Sequence, residues 1–145
     1  MKIEEDNRIF FEDALLTRKI LWAIENFHQL HVNRIYRHVK INGLETDAVA
    51  VCQTAEDRYE RWVGFELKEN AIEKAIQQAI ARRKYFDYFY IVIDWHTSSI
   101  VKWILKYHEI EKMGIGVISS HDDVVVLKSN FMTRKIADKK VEIYP

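Results

Sequence analysis

The sequence predicts a mixed α/β domain, a central mixed β-sheet flanked by helices in the order α-β-β-β-α-β-α-β-β. Three observations predict it. Ala71, Ile72, Ala75, Ile76, Ala79 and Ile80 recur at three- and four-residue steps and form one apolar stripe of a helix. Tyr88 to Ile93 is an unbroken aromatic and β-branched run, the composition of a strand buried on both faces. Asn42-Gly43 stands between two strand-like runs, where that dipeptide favours a tight reversal.

The elements follow in order. From about Ile9 to Phe27, the apolar positions Leu16, Ile20, Ala23, Ile24 and Phe27 mark one face of a first helix. HVNRIYRHVKING mixes β-branched and aromatic residues with cations and reads as a first strand. Leu44 to Val51 returns as the second strand, the polar TAEDRYE turns the chain, and Arg61 to Lys68 makes the third. Asn70 precedes Glu73 by three residues, the spacing of a capping box at the start of the striped helix. After the Tyr88–Ile93 strand, Thr97 or Ser98 is expected to cap a helix running to about His108. Ile115–Ser119 and Val124–Leu127 then form a last hairpin, and from about residue 128 the chain reads as a basic tail. Trp22, Trp62, Trp95 and Trp103 fall within periodic segments, so core packing is expected of them.

Composition narrows the function. A chain of 145 residues is sized for a single domain, residues 1–145, and 48% hydrophobic content argues against disorder. Lys+Arg and Asp+Glu both total 22, which removes the polycation reading and leaves only local basic patches. With Cys52 alone, neither an intramolecular disulfide nor a Cys-rich zinc knuckle is expected, and Cys52 has no neighbouring His or Lys to make it a nucleophile. No run has the length of a membrane span and the opening MKIEEDNRIF lacks a secretory apolar stretch. The expectation is a soluble cytoplasmic (intracellular) protein with no membrane partner. There is no Gly-rich phosphate loop and no Ser-centred elbow, so ATPase and hydrolase-fold readings have no support.

Chemistry concentrates at Asp47 on the second strand and Glu66 and Lys68 on the third. Strand side chains alternate, so Glu66 and Lys68 share a face, and a hairpin through TAEDRYE brings Asp47 to their end. Two close carboxylates repel, and a divalent cation such as Mg²⁺ resolves that conflict. The neighbouring ammonium suits orienting or deprotonating a water, or balancing charge on a pentavalent phosphorus. Solvated charges on an exposed strand are the plain alternative. Against it, the triplet ends the apolar segment WVGFEL, where charges are costly without a purpose.

ETDAVAV, WVGFELKEN and AIEKAIQQAIARRKYFDYFYIVID together resemble the PD-(D/E)XK, or restriction endonuclease-like, nuclease superfamily. The resemblance covers roughly residues 9 to 127 in element order, with its motif proper in residues 43 to 94. It implies a restriction endonuclease-like core and hydrolysis of nucleic-acid phosphodiesters that depends on Mg²⁺, with Mn²⁺ as a substitute. Asp47, Glu66 and the backbone carbonyl of Leu67 would hold the metal, and Lys68 would act on the attacking water. Gln78 matches the family's helix glutamine, steadying Lys68 or a phosphate, though it is also placed as a plain boundary residue of its helix. Glu12, with Glu25 as second choice, matches the first-helix glutamate that reaches the metal through water. An ordinary acid near a helix N-terminus is the other reading of Glu12. Thr46 departs from the family, standing where a proline is often found.

Three basic segments suit phosphate contacts. Arg34, Arg37 and Lys40 mark the first strand, and Lys128, Arg134 and Lys135 stud the tail. Arg82 begins Arg82-Arg83-Lys84, where cations also stabilise a helix C-terminus. His28 and His31 lie three apart but lack further metal ligands, and Asp94-Trp95-His96 reads as a partly exposed strand end. The expected function is a DNA nuclease of the repair, recombination or viral and mobile-element type, with structure-specific cutting among the options. RNA is a further candidate substrate. A homodimer is expected, because one site cuts one strand. The rival is a non-catalytic nucleic-acid-binding or assembly module on the same fold.

Overall fold

The computed structural model describes residues 16–68, 72–135 and the backbone of 141–143. The elements are α1 (Arg18–His28), β1 (Leu30–Ile41), β2 (Leu44–Thr54), β3 (Glu60–Lys68), α2 (Ile72–Arg82), a 3₁₀ turn (Arg83–Tyr85), β4 (Tyr88–Ile93), α3 (Thr97–Ile104), α4 (His108–Lys112), β5 (Ile115–Ser119), β6 (Val124–Leu127) and β7 (Val141–Ile143). They build a seven-stranded mixed sheet in the order β6-β5-β4-β3-β2-β1-β7. The α/β class and the flanking helices are as expected. Among the described residues, no helix is long and apolar enough to cross a membrane.

β1, β2 and β3 form an antiparallel meander. Asn42 (φ 50°) and Gly43 (φ 82°) both take the left-handed conformation that a two-residue hairpin of this hand requires. The chain then crosses through α2 to lay β4 parallel to β3, and through α3 and α4 to lay β5 parallel to β4. β4 is therefore paired on both edges and covered on both faces, and every one of its residues is buried. Alternation sorts the strands onto two cores. Ala48, Ala50, Val63, Phe65, Tyr90 and Val92 pack with Ile20 and Ile24 of α1. Val49, Phe89, Ile91 and Ile93 pack with Ile76 of α2 and Ile100 of α3.

Several expectations are corrected. Trp22 is 72% exposed because it lies about 200° round α1 from the buried Ile20. Phe27, expected on the buried face, is exposed beyond the Ile20–Leu21–Ile24 stripe. Thr17 caps the described part of α1, accepting from the Ile20 N–H. Residues 9–15, expected to open that helix, lie outside the described residues, as does Asn70 of the expected capping box. The helix expected to reach His108 ends at Ile104, and the short α4 follows. Thr97 does not cap it; Asp122 does, its Oδ2 accepting from both the Thr97 N–H and hydroxyl at 2.7 Å.

The basic tail is also corrected. Ser129 is buried, the Met132 N–H donates to the Asp87 carbonyl, and β7 adds to the free edge of β1 with Lys40 opposite Glu142. Arg83 anchors this return. Its guanidinium, 1% exposed, donates to the carbonyls of Met113, Phe86, Asp87 and Asn130. A buried cation is tolerable only when its donors are so occupied.

Candidate active site

The ladder between β2 and β3 runs as far as Ala48↔Phe65, and Asp47 is the next residue out. There the Leu67 N–H, left without a strand partner, donates to Asp47 Oδ2 at 2.8 Å. On the other edge of β3, the Lys68 carbonyl accepts from the Asp94 N–H at 3.3 Å. Backbone groups of successive strand residues point to opposite edges, so the Leu67 carbonyl, like its N–H, faces Asp47. Asp47, Glu66 and Lys68 share with Val49 and Gly64 the sheet face that α2, the helix that carries Gln78, covers.

Glu66 is the electrostatic centre. It is 2% exposed, and its carboxyl is pushed up to about 8, first of all by burial. Asp47 contributes to that rise by charge and by hydrogen bonding, while Arg82 and Lys68 oppose it. Among the described residues, nothing donates to Glu66 Oε1 or to Gln78 Oε1, although both atoms are buried. Unpaired buried acceptors are uncommon and costly. Two neighbouring carboxyls, a carbonyl and spare acceptor oxygens make a hard, all-oxygen donor set, which fits Mg²⁺ or Mn²⁺.

Arg82 braces this pocket, its Nε donating to the Glu45 carbonyl at 2.7 Å and its Nη1 to the Gln78 carbonyl at 3.0 Å. The remaining predicted residues scatter. Glu12 lies outside the described residues. Glu25 accepts the Val32 N–H at 2.8 Å and faces His31 at 3.8 Å. Arg34, Arg37 and Lys40 do lie along β1, Arg34 over the Tyr36 ring. Lys128 sits over Phe27 on the α1 side of the sheet. Arg134 is bound by acids: Nη1 meets the buried Asp87 carboxylate at 2.7 Å, Nη2 meets Glu60 at 3.1 Å, and the guanidinium stacks on Trp62. It thus sits at the opposite end of β3 from Lys68, about 26 Å along the strand. The Lys135 N–H donates to the Lys84 carbonyl.

His28 and His31 are separated by the end of α1. His28 stacks on Tyr88 and shares a 2.6 Å hydrogen bond with the Tyr90 hydroxyl, and burial, helped by Lys128, lowers its imidazole to about 4. Sequence reasoning missed a different cluster, in which His96 meets His121 and Asp122. The two histidines are far apart in sequence, and only the parallel pairing of β4 with β5 unites them.

No protein-family model matches the chain, and no curated protein matches it. Among solved structures, the chain is similar to a protein of unknown function from Silicibacter pomeroyi, with 11% identity and a TM-score of 0.44. That likeness covers 81% of this chain and 71% of the other.

Proposed function

We propose that the chain is a metal-dependent nuclease with a restriction endonuclease-like core, hydrolysing DNA phosphodiester bonds as an intracellular homodimer. The observation that carries this reading is the buried Glu66 carboxyl, raised by the charge and hydrogen bond of Asp47, opposed by Lys68, and left with an unpartnered oxygen. A buried carboxylate such as Glu66 is costly unless a cation neutralises it, and strongly shifted groups of this kind gather where chemistry is done.

In this proposal Asp47, Glu66 and the Leu67 carbonyl hold Mg²⁺ or Mn²⁺. The bound cation supplies Lewis-acid polarisation of the scissile phosphoryl group and offsets its developing charge. Lys68 orients the attacking water and takes or balances its proton. Gln78, whose Oε1 is buried without a partner among the described residues, would steady Lys68 or a phosphate. Arg82 keeps positive potential over the carboxyl pair, which favours the ionised, cation-binding form.

The test is cleavage of labelled single-stranded, duplex, flapped and four-way-junction DNA, and of RNA, with Mg²⁺, Mn²⁺ or EDTA. Cutting that EDTA abolishes is the expected outcome, and the preferred substrate identifies the branch. Binding without cutting under every condition overturns the proposal in favour of the non-catalytic module.

A further inference from the structure

We propose that His96, His121 and Asp122 form a second cation site, separate from the Asp47–Glu66 pocket and suited to zinc or a similar borderline transition metal. The topology creates it. β4 and β5 are parallel neighbours paired to their last residues, Ile93↔Ser119, so the segments leaving both strands emerge side by side. His96 lies on the segment into α3, and His121 and Asp122 lie on the turn into β6.

The spacing suits a common ion. One ligand atom from each residue lies within 4.8 Å of the others, and His96 Nδ1 stands 3.6 Å from Asp122 Oδ1. Tetrahedral zinc with bonds near 2.1 Å sets its ligand atoms about 3.4 Å apart, so the His96–Asp122 pair already fits and the other ligand atoms close by at most about 1.4 Å. The imidazole rings, with centroids 3.9 Å apart at 66°, are already in contact.

The carboxylate is held in place for this role. Its Oδ2 is occupied by the Thr97 N–H and hydroxyl, which leaves Oδ1 towards His96. The Asp122 N–H donates to Ser119 Oγ at 3.0 Å, and that hydroxyl donates to the Trp95 carbonyl at 2.6 Å. Outer partners of this sort orient metal ligands.

Donor chemistry separates the two sites. Two imidazoles and one carboxylate favour zinc, copper, nickel or cobalt, whereas the all-oxygen set at Glu66 favours magnesium or manganese. Three protein ligands leave one coordination position. An open pocket of about 430 Å³, lined by Asp94, Trp95 and Ser99 as well as both histidines, gives that position room for water or an anionic group. A bound ion would tie the start of α3 to the β5–β6 turn.

The test is a titration of the untagged 145-residue chain carrying Glu66→Gln, in magnesium buffer, with Zn²⁺ by calorimetry and Co²⁺ by visible absorption. The Glu66→Gln background disables the carboxylate pocket. One equivalent of Zn²⁺ and a Co²⁺ visible band are expected. Adding His121→Ala, or separately His96→Ala, should weaken binding at least about 10-fold and abolish the band. All three residues are exposed, so both variants should fold. No Zn²⁺ binding, or binding unchanged by both substitutions, overturns the proposal. Either result leaves the nuclease reading standing, because that rests on other residues.

Discussion

Lys68→Ala is expected to slow metal-dependent DNA cleavage by about 10³-fold, the usual range for removing a group that handles a proton or a developing charge. The fold should survive. Lys68 is the last residue of β3, and its tie to the strand end is a backbone bond, the Lys68 carbonyl accepting from Asp94. Removing the ammonium also changes the charge beside Glu66, so cation affinity should shift as well. Single-turnover rates at saturating Mg²⁺ therefore separate the effect on chemistry from that on binding. Full activity in this variant would end the role assigned to Lys68.

Glu66→Gln is expected to stabilise the metal-free protein at alkaline pH. The Glu66 carboxyl is pushed from 4.5 to about 8 in the folded state. Below the unfolded value both states hold the proton, and Glu66 adds no pH dependence. Between the two values the folded state holds a proton that the unfolded state has released, so stability falls as pH rises. The loss is complete above the folded value and is on the order of 5 kcal/mol. In EDTA, the melting temperature should drop between about pH 5 and 8.5 by on the order of 10 °C relative to Glu66→Gln. Parallel curves for the two proteins would show that Glu66 is not a strained carboxyl.

These effects could be foreseen only in part. The helical stripe of α2, the buried run of β4 and the Asn42-Gly43 reversal depend on neighbours in sequence, so periodicity and turn chemistry revealed them. Asp47 and Glu66 are joined by one short hairpin, and their meeting needs only strand alternation. What escaped depends on distant partners. Trp22 shares its helix with buried residues, but burial depends on which arc faces the sheet. β7 forms because β1 leaves an open edge, which the composition of a basic segment does not reveal. Arg83 and Arg134 look like solvent cations until the carbonyls and the Asp87 carboxylate that surround them are known. His96 and His121 meet only because β5 lies beside β4.

The cation pocket is tested most directly by a Mg²⁺ titration of melting temperature, comparing the natural sequence with Asp47→Asn. The amide keeps an acceptor for the Leu67 N–H while removing the charge. A saturating rise that Asp47→Asn abolishes is the expected result. An equal rise in both proteins would place the cation elsewhere and contradict the assignment of Asp47 and Glu66 as its ligands.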